Sequence, residues 1–401
     1  MHELDIKAKK AENKSASLGK DLDLEKYNSQ EQQHVYVDNP LQLEKKETER
    51  FLKVGVDASE DAGTFIQKDN SLVHCKSRQK DIEIMSISSA REKYDWLKKY
   101  MWNAVDVDTD KYTARVHLKK HEGYFIRSLP GAVTKRPVQS CLYIANDNIA
   151  QNAHNLVIAE ENSELKIITG CVTASHLNKG LHLGVSEFYV KKGATLTFTM
   201  VHDWGEKVDV RPRTVVYVEE GGTFVSNYIC LKPAGSLQMY PKVYLNGKGA
   251  VARNNSILVS KEGSHLDIGS KIYLNAEETK AEIISRAITL GGSIIARGAL
   301  IGKVPGVKAH LECKGLILGD GLMHAIPEIE AHVPGVEMSH EAAVGKINQE
   351  EIEYLMARGL DEEQAVSTIV RGFLNVDVEG LPKALQEQLD KTISETEKDM
   401  F

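Results

Sequence analysis

Between about Tyr124 and Val336, short runs rich in Val, Ile, Thr and Tyr alternate with Gly-containing turns, and no amphipathic stretch reaches helix length. VSEFYV, ATLTFTMV, RTVVYV, GTFVSNYIC, YPKVYL, SILVS and SIIARGALIG are such runs, so the middle of the chain reads as all-β. Its turn glycines carry a period. Gly193, Gly222, Gly235, Gly249, Gly263 and Gly292 are separated by 29, 13, 14, 14 and 29 residues. A fixed repeat of this kind marks a solenoid or a propeller, and a propeller blade needs about 40–45 residues. A coil of about 28 residues with two glycine corners fits a parallel β-helix of roughly seven to eight coils. A β-sandwich is the alternative, since Gly-punctuated strands occur there too.

The flanks read differently. Residues 1–122 form a polar N-terminal segment, loosely helical or partly disordered up to about Asn70. Between Ser89 and Val105 the spacing of Tyr94, Leu97, Met101 and Val105, thickened by Trp96, Tyr100 and Trp102, predicts an aromatic-rich packing helix. The β-helix core is assigned to 123–345 and a helical domain to 346–401. In that last domain Asn348 with Glu351 resembles a capping box opening a helix that ends at Gly359. A second helix starts at Asp361 and runs to Phe373, and Leu381-Pro382 opens a third. Such helices cap the open end of a solenoid or offer a surface to a partner.

Charge and cysteine content narrow the function classes. Fifty Lys and Arg against 57 Asp and Glu give a net charge of −7, which argues against a duplex-binding protein. No apolar stretch is long enough to cross a membrane and the start MHELDIKAKK has no apolar leader core, so the expected location is the cytoplasm. The five dispersed cysteines (Cys75, Cys141, Cys171, Cys230 and Cys313) contain no C-x-x-C and should be free thiols.

There is no P-loop and no nucleophile elbow, and His340-Glu341 fails as a zincin motif because Val344 stands where the second histidine is needed. Metal-capable residues gather in one span: His310, Glu312, Cys313, His324, Glu328, Glu330, His332, Glu337, His340 and Glu341. Cys313 lies 27 residues before His340 and 28 before Glu341, which is one coil by the glycine period. Residues one coil apart stack about 4.8 Å apart, so thiol, imidazole and carboxylate could converge. That donor set suits iron, zinc or copper. Alternation places Cys313 on the apolar inner face with Val307, Ala309 and Leu311, where it is either core filler or a functional thiol reached through the interior. A rival reading is a β-helix enzyme, carbohydrate-active or acyl-transferring, using Glu312, Glu328 and Glu330.

Residues 310–374, HLECKGLILGDGLMHAIPEIEAHVPGVEMSHEAAVGKINQEEIEYLMARGLDEEQAVSTIVRGFL, closely resemble the C-terminal part of the SufB/SufD family of iron–sulfur cluster assembly scaffolds. YDWLKKYMW (94–102), GYFIRSLPGA (123–132), GCVTASHLNKGLH (170–182) and LKPAGSLQMYP (231–241) extend the resemblance over about residues 90–395. It implies a right-handed parallel β-helix with helical ends, and a scaffold rather than an enzyme. Two subunits would pair through their β-helices, as a homodimer or with a SufD-like chain, and the helices from Asn348 to Phe373 would dock a SufC-type ABC ATPase. ATP would be used only by that partner. A transient iron–sulfur cluster would form at the subunit interface on residues matching Cys313, His340 and Glu341. Bacterial SufB carries a sulfur-entry cysteine after its Tyr-Pro-x motif, whereas Tyr240-Pro241-Lys242 is followed here by Val243, which leaves Cys230, Cys171 or free sulfide as sulfur routes.

Overall fold

A computed structural model describes residues 3–28, 33–57, 61–232, 234–374 and 387. The chain winds into a parallel β-solenoid of about eight turns with terminal helices. Each full turn contributes to two sheets of ten and eleven strands. One runs from Ser71–Ser77 to Glu337–Gly345, and the other holds Ser293–Gly302 and Leu322–Ala331 at its C-terminal end. Side chains alternate along each strand, so inner positions stack in columns through the lumen. Ser140, Thr169, Met200, Tyr228, Ser256, Ser285, Cys313 and Ala342 form one such column, each paired with the next.

The period expected from the glycines is present, though its marker shifts by one residue. At one corner of successive turns Gly131, Asn162, Gly193, Gly221, Gly249, Glu278, Gly306 and Gly335 all take positive φ. The corner therefore requires left-handed backbone, for which glycine is the unstrained choice. It is Gly221, not Gly222, that adopts this conformation, and Glu278 does so at φ 60 without being glycine. Gly235 and Gly292 serve a different need: a Cβ there would lie 2.4 Å from the Glu206 carbonyl oxygen and 2.3 Å from that of Lys261.

The N-terminal segment departs from expectation. Strands Gly63–Lys68, Ser71–Ser77 and Ile82–Ser86 close the first turn. The first pairs in parallel with Val138–Ile144 and the third runs antiparallel to Tyr124–Ser128. The expected helix over 89–105 is broken into Ile87–Lys93 and a 3-10 turn at Asp95–Lys99. Its remainder is drawn off by a fully buried carboxylate: Glu187 accepts the backbone N–H groups of Trp102 (2.6 Å), Asn103 (2.9 Å), Ala104 (2.7 Å) and Val105 (3.2 Å). Four amides bound to one side chain cannot also join an i to i−4 ladder. The aromatic stripe still packs, with Leu97 buried among Phe125, Leu156, Ile158 and Tyr189.

At the other end Asn348 caps helix Gln349–Met356 by accepting the Glu350 N–H at 3.1 Å. The reciprocal box forms one helix later. Asp361 accepts from the Gln364 N–H and the Gln364 side chain accepts from the Asp361 N–H, opening helix Glu362–Leu374. Val370 and Leu374 of this helix bury against Ile257, Val259 and Ile288 on the outside of the solenoid. Tyr354 and Met356 of the preceding helix stay exposed. The third helix expected from Leu381 lies outside the described residues.

Candidate functional site

The expected ligands lie on the last two strands of one sheet, Lys308–Ile317 and Glu337–Gly345. Cys313 is fully buried and belongs to the lumen core, with Ser285 on the rung before it. Burial, followed by the neighbouring Glu312 charge, pushes its thiol up to about 11. A lumen cavity of about 60 Å³ is lined by Met200, Tyr228, Ser256 and Ser285, and so reaches the rung next to the thiol.

The register corrects the coil arithmetic. Cys313 pairs with Ala342, Glu312 with Glu341 and Leu311 with His340, so the step here is 29 residues rather than 28. The added residue falls in the last turn, between Gly306 and Gly335. A one-residue change of register exchanges the faces of a strand. His340 therefore shares the lumen side with Met338 and Ala342, while Glu341 projects outward with Ser339. Both are exposed, since no further rung among the described residues covers them. Among the described residues, no group of three or more His, Cys, Asp or Glu side chains is arranged to hold a metal ion. Within one chain Cys313 and His340 are thus diagonal neighbours on the inside and Glu341 lies on the outside.

The remaining metal-capable residues divide between surfaces. His310 hydrogen-bonds to the Ser339 hydroxyl (2.9 Å) beside Glu312, and His332 to Glu330 (3.1 Å) on the opposite sheet. Around Glu341 there is a charged network absent from the sequence reading. Glu312 forms an ion pair with Arg286 and accepts from Lys314 at 2.8 Å, and the same ammonium lies 3.8 Å from Glu341. Burial pushes the Glu312 carboxyl up, but the bonds from Lys314 and Arg286 outweigh it and hold the group below the usual carboxylate range. The lysine, arginine and glutamate sit at outward positions of two adjacent strands, so the pleat would have shown them on one face; pairing them needed the register.

The other sulfur candidates lie deep inside. Val243 is fully buried in the lumen. Cys171, His202 and Cys230 occupy successive rungs of one inner column. The Cys230 thiol is pushed up to about 12, mainly by burial, and that of Cys171 is raised for the same reason. All five cysteines are free, as expected. Among the described residues, the final strands of both sheets, Leu322–Ala331 and Glu337–Gly345, are paired on one side only. Among the described residues no helix is long and apolar enough to cross a membrane.

Comparison with known proteins accords with this architecture. Residues 142–373, more than half of the chain, match the family model described as SUF system FeS cluster assembly, SufBD core domain. An iron–sulfur cluster assembly SufBD family protein of Archaeoglobus fulgidus is 51% identical over 356 residues, covering 88% of this chain and 96% of its own. One from Methanothermobacter thermautotrophicus is 49% identical over 403 residues and 98% of each chain. A Pyrococcus horikoshii member is 29% identical over 83% of this chain and 76% of its own. With residues 142–373 matched by the family model and relatives of 49–51% identity covering 88% or more of the chain, the chain belongs to the SufBD family of iron–sulfur cluster assembly proteins.

Proposed function

We propose that this protein is a non-enzymatic cytoplasmic scaffold on which a transient iron–sulfur cluster is assembled between two subunits, with Cys313, His340 and Glu341 as ligands. The observation that carries the reading is the open end of the solenoid. There a lumen thiol, a lumen-side imidazole and an outward carboxylate lie on the last rungs beside two half-paired strands, and one chain alone does not bring the three together. A second subunit laid against these edges supplies the missing side of the site, whether it is another copy or a SufD-like chain. Half-paired strands of nine and ten residues are natural templates for such a contact. Thiolate, imidazole and carboxylate together suit iron.

ATP turnover belongs in this reading to a SufC-like ABC ATPase held by residues 348–373. The inner helix of that pair is anchored on the solenoid by Val370 and Leu374, so a load on the exposed Tyr354–Met356 face would be passed to the sheet carrying Cys313. Anaerobic reconstitution with ferrous iron and sulfide is expected to give a visible chromophore that Cys313→Ala largely abolishes. Unchanged uptake in that variant removes the assigned site. Co-purification with an ABC ATPase should be lost on deleting 348–401, and its retention would refute the docking role.

A further inference from the structure

The charged network on the outer face bears on how Glu341 is kept ready, an inference that rests on Glu341 being an iron ligand. Lys314 reaches two carboxylates on adjacent rungs, but unequally: 2.8 Å to Glu312 and 3.8 Å to Glu341. Glu312 is largely buried and held from its other side by Arg286, whereas the Glu341 side chain is 63% exposed. The ammonium thus has one firm anchor and one loose contact. We propose that Lys314 is a removable counter-ion for Glu341, a positioning residue that keeps this carboxylate on the sheet face until ferrous iron takes the ammonium's place. Displacement costs Lys314 only its weaker contact, since Glu312 retains it. A doubly charged ion coordinated directly by the carboxylate wins over a singly charged group at 3.8 Å. Because Glu312 already satisfies Arg286 and Lys314, it is occupied as an acceptor, which leaves Glu341 as the carboxylate free to bind metal.

The test is ferrous iron binding alone, measured anaerobically by competition with a chromophoric chelator on the full chain, without sulfide or ATPase. Lys314→Gln should tighten the Glu341-dependent iron site by about two- to fivefold, the worth of an exposed ion pair. Lys314→Arg, which keeps the charge, should bind as the unaltered protein does. In a Glu341→Gln background the Lys314→Gln effect should vanish, a coupling that a purely structural lysine would not produce. Equal affinity with and without Lys314, weaker binding in Lys314→Gln, or an effect that persists in Glu341→Gln overturns the proposal while Glu341 stands as a ligand. Iron binding indifferent to Glu341→Gln overturns both.

Discussion

The two ends of the solenoid are built to opposite rules. At the N-terminal end antiparallel strands and folded-over segments close the first turns, and even charged groups there are sealed and partnered. Glu187 is fully buried with four backbone donors and the His154 imidazole (2.8 Å), and buried Arg211 donates to the Lys20 and Ser236 carbonyls. At the C-terminal end the same pleat continues with no further rung among the described residues. Leu311 is fully buried, and His340, its partner one rung on, is exposed. Burial in a solenoid is therefore a property of the rung that follows as much as of the residue.

Three substitution or pH experiments would break or sharpen this contrast. Glu187→Ala leaves four amides and an imidazole without their acceptor in a closed site, and is expected to destabilise the fold by about 3–5 kcal/mol in chemical denaturation; a loss below 1 kcal/mol would mean that the closed end tolerates unpaired polar groups. Leu311→Ala should cost about 2–4 kcal/mol by removing core volume, whereas His340→Ala should cost under about 0.5 kcal/mol while reducing cluster yield. Similar losses from both would show that the last rung is covered in the isolated chain.

Acid should act on the closed end first. Burial lowers His182 to about 3 and drives His202 well below its ordinary value, so both are neutral in the fold. As pH falls below about 6.5 the unfolded chain takes up protons that the folded chain does not, and each histidine then removes up to about 1.4 kcal/mol of stability per pH unit. Glu312 is also lowered, but from the ordinary carboxylate value of 4.5, so its contribution stays intact between pH 6.5 and 5 and is lost only as pH falls through about 4.5 and below. Hydrogen-exchange protection, corrected for the slower intrinsic exchange in acid, should thus fall between pH 6.5 and 5 in strands Gly180–Val190 and Thr195–Asp203 before it does in Lys308–Ile317. A uniform loss of protection would contradict the assignment of neutral buried histidines.

Much of this architecture was legible because a solenoid writes its geometry as a repeat. The corner glycines gave the coil length, and alternation around Cys313 gave its inward orientation. What escaped was decided by partners distant in sequence. The helix expected through Val105 is cut short by Glu187, 82 residues away, whose only local sign is a carboxylate in the otherwise apolar run VSEFYV. Strands 63–86 were hidden in a polar segment because their pairing depends on the first coil they close. The relation of Cys313 to Glu341 was missed because a mean period cannot resolve a single inserted residue, and in a strand one residue is the difference between inside and outside.

That inserted residue has a further consequence. It sits in the turn at 318–321, one residue longer than its counterpart at 290–292, and that turn acts as a parity bit for the strands after it: with its present length the imidazole of His340 looks into the barrel and the carboxylate of Glu341 looks out. Shortened by one, with the strand slipping to match, it would swap the two, setting an acid directly above the sulfur and turning the ring to solvent.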